Sequence, residues 1–371
     1  MLHLFFHELT PFAVKLDADL EFVLRVAFGP SCDADTPPQS GDGAWRWARQ
    51  LGLDCRIAER LMADQARELL GAVPARELEV IRRKMVADEL AREEVHQRLV
   101  AAVEACGIEV VLVRQAAPGS SRIRSATSFW KPSMSGFDVV DVDVLVSDSD
   151  LEKLTIALIS AGCTTQLRSN GVPQPASARG RTAVFLGQKG AAIVLHTQLR
   201  FLRMVPGGVF IDLACLKRCG LLLRDDVTQN KSLWVPSKAV QAADWIAQAL
   251  VEQRFAPEYP AVSSWLVAQS LGLGQDEDLA FDAYLMLQTD VEHAEFEALR
   301  ELLRALGKGE LTGLSKRART LLNHAIAAAT VPSYRARLRL QRKAQMWQHE
   351  GHLERAAEGL GRALRGIKGK F

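Results

Sequence analysis

Two aspartates one residue apart, Asp141 and Asp143, lie in the run Val140-Asp141-Val142-Asp143-Val144-Leu145-Val146. Along an extended chain, residues two apart turn to the same side. The two carboxylates therefore share one face, and Val140, Val142, Val144 and Val146 share the other. Like charges side by side on a strand repel. A divalent cation is a physical reason to keep them together, because Mg²⁺ takes one or two carboxylates along with substrate phosphates. In phosphoryl and nucleotidyl transfer, such ions brace the attacking and leaving oxygens. A solvent-exposed strand face carrying acids is the plainer reading of the same residues, since Asp-x-Asp is a short motif.

The elements around the pair can be read from periodicity and punctuation. Asp17 to Phe28 has apolar residues at helical spacing, and Gly29-Pro30 stops it. Ser31 to Gly43 reads as a loop, followed by helices over Trp45–Leu51 and Cys55–Leu70. Pro74 opens a long helix, Arg76–Ala105, with Val80, Ile81, Met85, Leu90, Val95, Leu99 and Val103 assigned to one side and Gly107 as its C-terminal cap. The period then changes. Ile108–Arg114 is a β-branched run that reads as a buried strand. A Gly/Ser/Pro loop leads from about Ala116 to Gly136 into a second strand, Asp138–Val146. The short oxygens of Ser147–Asp150 suit the start of a helix that runs to Gly162. Thr164–Leu167 reads as a short strand, and Thr182–Leu186 with Ala191–Leu199 as a hairpin. Helices return over Pro236–Phe255, Ala261–Leu271, Asp278–Leu287, Ala294–Leu306 and Ser315–Ala328.

The order is helices, an α+β insert and helices again. It divides the chain into a helical region 1–106, an α+β core 107–200, a helical C-terminal domain 201–332 and a basic tail 333–371. At about 100–200 residues per domain, the 371 residues suit such a division. Hydrophobic residues make up 48% and charged residues 24%, which excludes a disordered, collagen-like or disulfide-scaffold chain. A formal net charge of +2 argues against bulk electrostatic coating of nucleic acid.

Cys32, Cys55, Cys106, Cys163, Cys215 and Cys219 show no framework spacing and read as reduced thiols. Cys215 and Cys219, four apart, lack the further ligands that a zinc site needs. Met1–His7 has no basic n-region, and no apolar run reaches a membrane span. The expectation is a cytoplasmic protein with no membrane partner.

The segments Gly107–Val113, Asp141–Val146, the helix ending Ala161-Gly162-Cys163 and Ile193-Val194-Leu195-His196 resemble the uncharacterised bacterial nucleotidyltransferase family. That family belongs to the polymerase-β-like nucleotidyltransferase superfamily. The run Trp45–Leu53 and the long helix feeding the first strand resemble it as well, so the likeness covers roughly residues 17–270. It implies a nucleotidyltransferase-like small mixed sheet with flanking helical regions. It also implies transfer of a nucleoside monophosphate from an NTP to an acceptor hydroxyl, with Mg²⁺ (or Mn²⁺) as cofactor and Asp141 and Asp143 as the catalytic, metal-binding pair. The acceptor, a small molecule or a protein, stays open.

Three positions depart from the family pattern. Arg114-Gln115 stands where a Lys-Gly turn usually ends the first strand, and Gly119-Ser120 is the substitute phosphate turn, with Arg114 and Arg122 as nucleotide-binding side chains. No basic residue immediately precedes Asp-x-Asp, which leaves Arg122, Arg124 or Lys131 to reach phosphates. Val194 occupies the place of a third carboxylate, two residues before the hairpin histidine, His196. Asp148, Asp150 and Asp212 are the acids left to replace it. The departures keep open an alternative: a catalytically degenerate binding or scaffolding protein in a biosynthetic or toxin–antitoxin-like complex.

His196 by itself reads as a partly buried, satisfied histidine. His349 and His352 read as solvated. From Ser333 to Phe371, ten Lys and Arg face three Glu, a local charge of +7 that leaves the rest of the chain near −5. Such a tail suits an anionic partner, but a solvated helix face is the plainer reading, since charged tails are common and unspecific.

Overall fold

The computed structural model describes residues 16–29, 36–113, 141–165, 183–186, 192–203, 210–224, 232–247, 250, 261–287, 291–334 and 336. The first helix, α1 (Ala18–Phe28), starts at Asp17, whose carboxylate accepts the Leu20 N–H at 2.8 Å. It buries Leu20, Phe22, Val23, Leu24 and Val26. The second, α2 (Gly41–Gln50), begins inside the stretch expected to be loop, because the Ser40 hydroxyl accepts the Gly43 N–H at 3.1 Å.

The single helix expected over Cys55–Leu70 is two, α3 (Asp54–Arg60) and α4 (Ala63–Leu70), with Leu61 extended between them. The cause lies on the next helix, α5 (Ala72–Cys106). Its Arg82 donates to the carbonyls of Ala58 and Leu61, so α3 can end without leaving those acceptors unpaired.

Helix α5 starts two residues before Pro74. The ring is tolerated there because first-turn N–H groups have no intrahelical partner. Gly107 caps its far end in the left-handed region, φ 61°. The apolar side assigned to this helix needs correction. Leu78, Ala91, Val95, Leu99 and Val103 are buried, whereas Val80 and Leu90 are each 66% exposed. At ~100° per residue, Val80 lies about 200° round from Leu78 and Leu90 about 140° round from Met85.

A seven-stranded mixed sheet follows, in the order β3-β4-β5-β2-β1-β9-β8. Its central strand is β2 (Asp141–Val146), which lies between β1 (Val110–Val113), to which it is antiparallel, and β5 (Ala192–His196), to which it is parallel. The crossover from β2 to β5 passes through α6 (Leu151–Ser160), β3 (Thr164–Thr165) and β4 (Ala183–Leu186), the last antiparallel to β5. At the start of α6 no side chain caps from Asp150. Instead the Ser147 hydroxyl accepts the Asp150 N–H at 3.2 Å and donates to its carboxylate at 2.6 Å.

Strand β5 ends at His196 instead of continuing to Leu199. Leu199 begins β6 (Leu199–Arg203), which pairs with β7 (Phe210–Ile211) in a separate ribbon. After α7 (Leu213–Arg218), β8 (Leu222–Arg224) and β9 (Leu233–Pro236) return to the main sheet, with β9 parallel to β1. Pro236 thus ends a strand, as suits a residue with no N–H to donate, and α8 (Lys238–Ala247) follows it. Helices α9 (Ala261–Ser270), α10 (Glu277–Leu287), α11 (His293–Lys308) and α12 (Lys316–Thr330) complete the order. The architecture is mixed α+β, with helices before and after the sheet.

The sheet is covered on both faces. Val142, Val144 and Val146 of β2, Val110 and Leu112 of β1, and Ile193 and Leu195 of β5 form one core with Val95, Leu99 and Val103 of α5 and Leu154 and Leu158 of α6. On the other face, Val111, Val113 and Leu145 join the larger helical core that holds Phe22, Trp265 and Phe296. Burying a branched side chain of this kind contributes about 1.5–3 kcal/mol. Two apolar faces explain why the central strands read as continuous valine and leucine, broken on β2 by Asp141 and Asp143 alone. Among the described residues, no helix is long and apolar enough to cross a membrane.

Candidate functional site

The break in that pattern is where chemistry gathers. Asp143 alternates with Val142 and Val144, whose side belongs to the core under α5 and α6, so its side chain belongs to the opposite strand face. Leu145, next on that face, is fully buried, while the Asp143 side chain is 16% exposed.

The neighbours of Asp143 are fixed by register. Val113 of β1 lies opposite it on one side and Val194 of β5 on the other. Neither valine can share a proton or an ion with the carboxylate. Val194 is buried at 6% exposure directly beside Asp143.

His196, two residues further along β5, reaches back across the strand pair. Its Nε2 lies 2.7 Å from Asp143 Oδ1. The two side chains are 15% and 16% exposed, so their contact is largely shielded from water. A charge-assisted hydrogen bond in that setting is worth more than one on the open surface. The partly buried histidine thus has its partner, and the partner is one of the two candidate acids. Sequence spacing alone did not join them, because 53 residues separate the pair; the parallel registration of β2 with β5 does.

The other acids considered for the site are occupied elsewhere or distant. Asp212 caps α7, its carboxylate accepting the Cys215 N–H at 2.7 Å. Asp150 accepts from Ser147 beyond the far end of β2. Asp148 is exposed at that same end. It follows the strand's last residue, Val146, at the end opposite to Asp141. Among the residues whose side chains are described, no three His, Cys, Asp or Glu gather closely enough to hold a metal ion.

Gly119, Ser120, Arg114 and Arg122, read as nucleotide-binding, lie outside the described residues, as do Arg124, Lys131, Cys32, His349, His352 and the basic tail beyond residue 336. Cys215 and Cys219 are free thiols at the two ends of one helical turn, where the Cys219 N–H bonds the Cys215 carbonyl at 3.1 Å. Burial, first, and the neighbouring Cys219 push the Cys215 thiol up from its ordinary range. It is therefore a poorer thiolate donor to metals than an exposed cysteine.

No protein-family model, curated protein or solved structure matches the chain.

Proposed function

We propose that this chain is a nucleotidyltransferase-like protein that binds an NTP with a divalent ion at Asp141 and Asp143 and transfers a nucleoside monophosphate to an acceptor hydroxyl. The observation that carries the reading is the placement of Asp143. It is a largely buried carboxylate in the central strand of a mixed sheet, flanked by apolar residues on both neighbouring strands. Such a carboxylate is costly to keep unless a cation, a hydrogen bond or both compensate it.

The residues suit a divalent ion that also takes phosphate oxygens. An ion bound there would neutralise charge developing on the transferred phosphoryl group. The chain's own contributions follow from position. His196 fixes the orientation of the Asp143 carboxylate, buried Leu145 closes the inner end of the face, and Val113 and Val194 exclude water from its flanks. Low local water content strengthens the electrostatic interactions of the carboxylates with bound charge.

Calorimetric titration with ATP, CTP, GTP and UTP, each with and without Mg²⁺ or Mn²⁺, tests the reading. It predicts metal-dependent binding of at least one NTP, lost when Asp141→Asn and Asp143→Asn are combined. Metal-independent binding unchanged by that double variant would sink it.

Val194 favours a second reading. A buried valine beside Asp143 supplies neither a metal ligand nor a base. In this reading the fold persists as a nucleotide-binding or scaffolding module in a larger complex. NTP binding without any transfer to an acceptor is its signature.

A further inference from the structure

We infer that His196 supplies the ligand that Val194 cannot, so that the site prefers a first-row transition ion to Mg²⁺. The inference rests on the ion-holding role proposed above for Asp141 and Asp143. Three adjacent strands contribute to the face. From β1 come Val111 and Val113, and from β2 come Asp143 and Leu145. From β5, by parallel registration, come Val194 and His196. Of these side chains, only those of Asp143 and His196 can bond a metal, and the two meet. Together with the Asp141 carboxylate of the proposed ion-holding pair, they make a set of two carboxylates and one imidazole.

The distance in hand suits such a set. Two ligands each about 2.1 Å from one ion and at right angles about it lie roughly 3 Å apart. His196 Nε2 and Asp143 Oδ1 are 2.7 Å apart, so exchanging their shared proton for an ion requires only a small opening. Mg²⁺ prefers oxygen ligands throughout, whereas imidazole suits first-row transition ions. One histidine in place of a third carboxylate therefore moves the preference along that series.

Co²⁺ and Mg²⁺ are the probes. Each is titrated calorimetrically into the full chain, and the visible absorption of bound Co²⁺ reports a nitrogen ligand. The wild-type protein is expected to bind Co²⁺ more tightly than Mg²⁺. His196→Ala and His196→Gln should each weaken Co²⁺ by about tenfold or more and alter its absorption bands, and weaken Mg²⁺ by a much smaller factor. The glutamine variant retains hydrogen-bonding capacity toward Asp143, so loss of Co²⁺ there separates a ligand from a structural partner. Co²⁺ binding that survives both His196 variants with unchanged bands, yet is lost in Asp143→Asn, overturns the inference and leaves the proposed function standing. Failure of the wild-type chain to bind either ion, alone or with NTP, overturns both.

Discussion

Asp143 and His196 show how a side chain's surroundings decide what it can do. A carboxylate between two valines is costly, and the imidazole 2.7 Å away offsets part of that cost. The Asp-x-Asp spacing and the histidine were both readable as letters, but their meeting was not, since it depends on the register between β2 and β5. Val194 was legible only as a residue type, whose burial against Asp143 the sheet alone reveals.

Asp54, the first residue of α3, makes the opposite case. Burial raises the Asp54 pKa above the usual carboxylate range and outweighs the lowering effect of the Cys55 N–H, which donates to the carboxylate. A raised carboxylate binds its proton more tightly in the folded chain, so its ionisation destabilises the fold above that range, and stability recovers as pH falls. Asp54→Asn is expected to raise the thermal midpoint at neutral pH. The gain should shrink steadily as the measurement moves into the acid range. A pH-independent difference in melting curves would contradict the burial argument.

At the scale of elements, helix ends explain much of what the sequence disclosed and what it hid. Asp17, Ser315 and Gly107 mark boundaries by local chemistry, two side-chain oxygens accepting first-turn N–H groups and a glycine at positive φ. Such signals need only neighbours in sequence, and they were legible. The break between α3 and α4 was not, because the group that permits it, Arg82, sits on α5, 24 residues from Ala58 and 21 from Leu61. Arg56 and Arg60 act alike from α3, donating to the carbonyls of Ala27, Val26 and Gly29 at the end of α1. Arginine therefore joins this N-terminal layer by satisfying terminal carbonyls.

Arg82→Ala leaves two partly buried acceptors unpaired and is expected to cost about 1–3 kcal/mol. Urea denaturation should show a lower midpoint with unchanged slope. A midpoint within error of the parent's would show that α3 ends for some other reason.

At the scale of the whole molecule, one sheet divides two cores. Helices α5 and α6 cover one face, and the larger helical body covers the other. The central strands were readable because both faces are apolar. The short strands after residue 200 were missed: β7 has two residues and β8 three, too few to establish a period, and β9 ends in the proline that suggested a helix start. The α+β class was thus legible, while the return of β8 and β9 to the sheet depends on long-range pairing. This arrangement leaves the two aspartates as the polar interruption in the middle strand of an otherwise apolar sheet centre. The central claim is that this interruption supports nucleotidyl transfer. Its most direct test is incubation of the full chain with each α-labelled NTP, a divalent ion and cell lysate, followed by separation of the products. The account predicts a labelled product with at least one NTP that disappears with Asp143→Asn. No labelled product with any of the nucleotides, or the same product from the Asp143→Asn variant, would contradict it.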